Sequence, residues 1–182
     1  MVKKMLNSNN IYIRLMEEKD IPFKVKWIND PVIRHTLNFE YPVSEVSTRK
    51  WLNNVASNPT RKDFIVCNIE NHEPIGYCGF LGIDQKNSKA ESYMGIGDKG
   101  SQGRGLGLEI RKTLLDYAFQ ELNLNKIYAY VWEENEPMIH LNKKVGFQIE
   151  GLLRKDIMSH GELRNRYIMG ILKEEYLLNN QN

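Results

Sequence analysis

Along this chain, stretches of alternating apolar and polar residues give way to stretches where apolar residues recur every three or four positions. The first pattern marks half-buried strands and the second marks amphipathic helices. Ile11-Tyr12-Ile13-Arg14-Leu15 alternates and predicts a first strand. Asp20 stands where a helix cap belongs, with Pro22 in the first turn, and predicts a helix through Ile28. Asn29-Asp30-Pro31 breaks that helix. Ser44 is a second cap signal, followed at helical spacing by Trp51, Leu52 and Val55, and Asn58-Pro59 ends the segment. Phe64–Ile69 and Pro74–Ile83 read as strands joined by the turn Asn71-His72-Glu73, a hairpin. Glu91–Ile96 reads as a fourth strand, in which Gly95 and the following Gly97 suggest a bulge or close approach by another chain or a ligand.

Downstream the pattern turns helical. Leu106, Ile110, Leu114 and Ala118 recur every four residues, so Leu106–Leu122 predicts a helix with one buried stripe. Lys126–Trp132 is nearly all apolar or aromatic and reads as a central fifth strand. Asn135 caps a short helix through Lys144, and Gly146 stops it. Phe147–Leu153 and Arg164–Leu172 are the last strands, joined across His160-Gly161. The order predicts an α/β (α+β) fold, a mixed sheet of about seven strands with helices on both faces. The strand–helix–strand unit around residues 101–107 should be parallel and right-handed. A single domain is expected over 11–176, with loose ends at 1–10 and 177–182.

Composition narrows the function classes. The chain has 182 residues, enough for one domain with a substantial core. Its 25 basic and 23 acidic residues give a formal net charge of +2, too balanced to argue for nucleic acid or a membrane surface. Cys67 and Cys78 lie in separate strand-like runs outside any Cys-x-x-Cys, and the histidines are scattered, so no metal site is expected. Without a long apolar run, the chain reads as a cytoplasmic protein.

The chemistry concentrates in Ser101-Gln102-Gly103-Arg104-Gly105-Leu106-Gly107, a glycine-rich turn between a strand and a helix. A helix start presents backbone N–H groups without internal partners, and the helix dipole adds partial positive charge, so such a turn seats phosphate. It departs from the dinucleotide-binding fingerprint, having alternating glycines late in the chain and no acidic residue to hold a ribose. It is not a P-loop, since no Gly-Lys-Ser/Thr follows.

Gln102-Gly103-Arg104-Gly105-Leu106-Gly107 matches Q/R-x-x-G-x-G/A, the acetyl-CoA pyrophosphate signature of the GNAT acetyltransferase superfamily. Ala90 to Lys99 is similar to that superfamily's fourth strand, and Asn135 to His140 with Lys144-Val145-Gly146-Phe147 resembles its later signature. The resemblance spans Ile11 to Tyr176, and Trp27-Ile28-Asn29-Asp30-Pro31 is similar to a motif of the ribosomal-protein N-terminal and spermidine acetyltransferase branch.

The resemblance implies a mostly antiparallel twisted sheet, splayed between the fourth and fifth strands. It also implies direct acetyl transfer from acetyl-CoA to a primary amine. The backbone of Gln102 to Gly107 would hold the pyrophosphate, with Arg104 adding charge. Pantetheine would pair with the edge Met94-Gly95-Ile96, where glycines make room, and Asn135 would meet the same arm. An N–H near Met94–Ile96 would stabilise the oxyanion. Glu91 is the candidate base, with Tyr93 a weaker one. The family's general-acid tyrosine falls at Asn142, which has no proton to give but can hydrogen-bond. Trp27, Glu40, Tyr41, Trp132 and Tyr167 are candidates to line an acceptor site. The absence of a dense acidic run there disfavours spermidine. Protein N-termini, amino sugars and aminoglycosides stay open, as do a non-catalytic acetyl-CoA-binding module and a homodimer.

Overall fold

The protein was analysed as a computed structural model, which describes residues 6–34, 41–159 and 161–179. Among these, eight strands form one sheet in the order β1-β2-β3-β4-β5-β6-β8-β7. The strands are β1 (Leu6–Asn7), β2 (Ile11–Leu15), β3 (Lys62–Asn68), β4 (Pro74–Asp84), β5 (Lys89–Ile96), β6 (Lys126–Trp132), β7 (Gln148–Ser159) and β8 (Glu162–Leu172). Neighbours are antiparallel except β5 and β6, which are parallel as the strand–helix–strand unit between them requires. The helices are α1 (Ile21–Asn29), α2 (Pro31–Arg34), α3 (Glu45–Val55), α4 (Leu106–Asp116), α5 (Glu136–Lys144) and α6 (Lys173–Asn179).

Side-chain alternation divides the core into two layers, one on each sheet face. Ile11, Ile13, Phe64, Val66, Cys78 and Phe80 pack with Leu106, Ile110 and Leu114 of α4. The intervening Tyr12, Ile65, Cys67 and Tyr77 pack with Trp27 of α1 and Leu52 of α3. Helices therefore cover both faces. Cys67 and Cys78 are buried in opposite layers, and both are free thiols.

Several elements differ from expectation for physical reasons. Leu6–Asn7 pairs with Ile13 and Tyr12, so ordered structure begins before Ile11. The C-terminal residues Lys173–Asn179 form α6, whose Tyr176 is buried with its hydroxyl on Asp116 at 2.9 Å. Asp20 precedes α1, but its carboxylate makes no cap bond to it. That carboxylate receives both Arg14 guanidinium nitrogens at 2.6 Å and the Glu17 amide at 2.9 Å. Arg14 and Asp20 are 5% and 1% exposed, so a buried ion pair has displaced the cap. The helix predicted through Leu122 loosens into a π turn over Tyr117–Glu121, where the backbone shifts by one residue. Lys126–Trp132 is central in the sheet but buried on one face only: Ile127, Ala129 and Val131 face α4, while Tyr128, Tyr130 and Trp132 face away.

The sheet opens at one place. β5 and β6 pair only at Lys89, Ala90 and Glu91, opposite Lys126, Ile127 and Tyr128. Beyond Glu91 the strands part, leaving the β6-facing edge of Ser92–Ile96 without a ladder partner. This is the splay that the resemblance implied.

Candidate active site

Two cavities meet at the splay. The larger, about 570 Å³, runs from the glycine turn along the end of β5 to the inner side of α5. Gln102, Gly103, Gly105 and Gly107 line one end, and Met94, Gly95 and Ile96 line the β5 wall. Gly103 and Gly105 have φ of 72° and 80°, the left-handed region that a side chain disfavours. Gly105 is the N-cap of α4 and has no side chain to cap it; the Leu108 amide turns back to the Gly105 carbonyl at 3.1 Å, which leaves the Leu106 and Gly107 amides for a ligand. Gln102 Nε2 donates to the Ile96 carbonyl at 3.1 Å and ties the turn to the end of β5.

The smaller cavity, about 130 Å³, fills the gap between the splayed strands. Its lining comes from both sheet faces. Met94, Ser92 and Arg111 lie on the α4 side, and Glu91, Tyr130 and Trp132 on the other. Met94, Asn135 and Met138 line both cavities, so the two spaces join there.

Glu91 is half-buried at the entrance from that second face. Burial raises its pKa above the ordinary carboxylate value, and nearby Arg166 partly offsets the rise. Tyr93, the other residue considered as a base, gives its hydroxyl proton to Asp63 in a short hydrogen bond. Burial and the Asp63 charge hold the phenol protonated well beyond its usual range, which excludes it as a base. Arg166 Nε donates to Asp156 at 2.7 Å, and its guanidinium lies 4.5 Å from the Tyr130 ring centroid.

The residues expected from the sequence fall in three groups. Met94, Gly95, Ile96, Gln102, Gly103, Gly105, Gly107 and Asn135 line the larger cavity, and Glu91 and Trp132 line the smaller. Asn135 also caps α5, accepting from the Met138 amide at 3.2 Å. Arg104 is exposed on the turn, and Leu106 is buried in the α4 core, so only the backbone of Leu106 faces the turn. Trp27 lines neither cavity: it is 4% exposed, with its ring against Gly97. A Cβ at Gly97 would sit 2.1 Å from that ring and one at Gly95 would sit 3.0 Å from Tyr77, so these glycines admit aromatic side chains. Asn142 is fully buried, its amide nitrogen 3.7 Å from the Met169 sulfur, and it lines neither cavity. Tyr41 is 45% exposed and lines neither, while Tyr167 places its hydroxyl 3.4 Å from Glu133. Glu40 lies outside the described residues.

Sequence reasoning missed Tyr77 and Ile33 on the cavity wall, and Arg111 in the gap. Only Arg111 carried a signal, as a charged residue directly after Ile110 in the buried stripe of α4.

Comparison with known proteins agrees with this geometry. Residues 10–148 match the Acetyltransferase (GNAT) domain family, so the chain belongs to that family of acetyltransferases. It is 34% identical over 175 residues to a Bacillus licheniformis protein named uncharacterized N-acetyltransferase p20, covering 94% of this chain and 97% of that one. It is 28% identical over 174 residues to the spermidine N(1)-acetyltransferase of Escherichia coli (strain K12), covering 95% and 91%. Among solved structures, spermidine N-acetyltransferase from Vibrio cholerae in complex with CoA and spermine superposes with a TM-score of 0.86 at 28% identity. That superposition covers 93% of this chain and 99% of that one.

Proposed function

We propose that this protein transfers the acetyl group of acetyl-CoA directly to the primary alkyl amine of a polyamine. One observation carries the reading: the cavity on the glycine turn shares Met94, Asn135 and Met138 with the cavity in the splayed sheet, which Glu91 lines from the opposite face. The turn amides suit the pyrophosphate, and the unpaired β5 edge suits pantetheine added as an extra strand. An edge amide near Met94 suits the developing oxyanion. No residue group among those described could hold a metal, and the reaction needs none.

The acceptor sets the demand on Glu91. An alkyl ammonium of pKa about 10.4 is neutral in about one molecule in 2,500 at pH 7, a penalty of about 5 kcal/mol. An α-amino group of pKa about 7.8 incurs only about 1 kcal/mol. A carboxylate at the acceptor entrance answers the larger demand, removing the proton directly or through one water. Tyr128, Tyr130 and Trp132 face the same side and suit an alkylammonium chain. The full-length relatives named spermidine acetyltransferases support the same class. They outweigh the lack of an acidic run, which points the other way.

Four further assignments complete the proposal. Glu91 is the base, and Asn142 has no part in proton transfer. The protein acts in the cytoplasm, a reading supported by its two free cysteines. It forms a homodimer through the β7–β8 hairpin, where Leu152, Met158 and Leu163 are 43%, 58% and 53% exposed; sedimentation at equilibrium reads this. The acceptor is tested by thiol release from acetyl-CoA with spermidine, a simple monoamine, an amino sugar, an aminoglycoside and an N-terminal peptide. Spermidine should turn over with the highest kcat/KM. Preference for the peptide or a sugar would replace the polyamine assignment, and release with none would leave an acetyl-CoA-binding module.

A further inference from the structure

Arg111 is the one fully buried cation at the gap between β5 and β6 among the described residues, and acetyl transfer as written above does not use it. It is 2% exposed and rises from α4, where the apolar stripe would otherwise continue. One terminal nitrogen donates to Ser92 Oγ at 2.8 Å, the other lies 3.6 Å from the Met138 sulfur, and Nε has no hydrogen-bond partner. The guanidinium carbon stands 5.3 Å from the Phe147 ring centroid. No carboxylate pairs with it among the described residues. The nearest titratable group bearing on it is Cys78 of β4, kept as the neutral thiol because burial raises its pKa. Its other neighbours on β5 and α5, Ser92 and Met138, do not titrate. Burial lowers the guanidinium pKa to about 10, so it stays charged at neutral pH. A buried charge without a counter-ion is strongly unfavourable, and it is tolerated where an anion arrives.

On the acetyl-CoA reading, the anion that the reaction generates is the leaving sulfur. Acetyl transfer forms the N–C bond, breaks the C–S bond and leaves the electron pair on the thiol sulfur. The amine proton goes to Glu91. In this chain α5 supplies no tyrosine to protonate the sulfur, because Asn142 is turned into the core against Met169. Arg111 meets α5 at Met138, one helical turn from Asn142.

We propose that Arg111 is a catalytic residue that holds the leaving CoA thiolate, which solvent protonates afterwards. The proposal rests on the reading of acetyl-CoA as donor.

The test is an ultraviolet titration of the thiol of CoA bound to the protein, without any acceptor. CoA lacks the acetyl group and its carbonyl, so the readout isolates the sulfur from the oxyanion. The bound thiol should titrate about one unit or more below CoA free in the same buffer. Arg111→Lys should keep most of that depression and Arg111→Met should abolish it. A wild-type thiol that titrates like free CoA overturns the proposal, even if Arg111→Met does not fold. A depression unchanged in Arg111→Met also overturns it and moves the charge to Lys144 or His140 of the adjoining cavity. Failure of wild-type protein to bind CoA by calorimetry overturns the donor reading and the proposal with it.

Discussion

Replacing Glu91 with glutamine keeps the size of the side chain and removes its ability to take a proton. Glu91 sits where the second cavity opens on the acceptor face. General-base assistance contributes about 10² to 10⁴ in rate. The upper part of that range is expected here, because an amine of pKa about 10.4 needs about 5 kcal/mol of deprotonation at pH 7. Glu91→Gln should therefore lower kcat for spermidine by about 10³ while acetyl-CoA affinity stays within about twofold. The loss should shrink for an acceptor amine of pKa about 7.8, where only about 1 kcal/mol is at stake. In the wild type, kcat should fall as pH drops through the Glu91 pKa, which burial places above the ordinary glutamate value. That acid limb should vanish in the variant. Stability provides the control. A carboxyl group whose folded pKa is raised contributes most stability below its unfolded pKa, and this contribution is lost as pH rises through the folded value. Glu91→Gln should thus be the more stable protein at neutral pH, with the difference closing below about pH 4.3. Stopped-flow thiol release across pH, with thermal melts alongside, measures all of this. Unchanged turnover and an unchanged pH profile would refute Glu91 as the base.

Other perturbations test other parts of the account. Gly105→Asp forces a side chain into φ of 80° and sets a carboxylate against the pyrophosphate seat; calorimetry should show acetyl-CoA affinity falling at least about a hundredfold. Asp20→Ala leaves Arg14 buried without its partner and should lower unfolding free energy by about 3–5 kcal/mol in urea melts, with the urea m-value unchanged. Arg166→Gln frees Asp156 and the Tyr130 ring for a substrate ammonium, so KM for spermidine should fall severalfold while KM for a monoamine does not. The same change removes the positive charge that lowers the Glu91 pKa, so the acid limb of kcat should move to higher pH.

The parts of this site that were legible in the sequence are those fixed by local backbone chemistry. Gly105 and Gly146 take positive φ, and Asn135 caps α5, each for reasons that reside in a few neighbouring residues. The alternation of β2, β3 and β4 set two core layers because period two needs no tertiary information. What escaped depends on distant partners. Gly95 and Gly97 suggested a bulge or close approach by another chain or a ligand; Gly95 does line the larger cavity, but the side chains that need the missing Cβ atoms are Tyr77 from β4 and Trp27 from α1. Asp20 was read as a cap, but an arginine six positions earlier takes its carboxylate inward. Trp27 was a candidate to line an acceptor site, but its ring packs against Gly97 of the chain after β5 and Tyr77 of β4. Arg111 carries charge into an apolar stripe, and only the splay of β5 from β6 shows the space it borders.

The central claim is that donor and acceptor enter from opposite faces and meet within the splayed sheet, so both must be bound before acetyl moves. Initial rates measured over a grid of acetyl-CoA and spermidine concentrations test it directly. Intersecting double-reciprocal lines, with no mass increase of the protein after incubation with acetyl-CoA alone, are the predicted result. Parallel lines accompanied by a stably acetylated protein would contradict it.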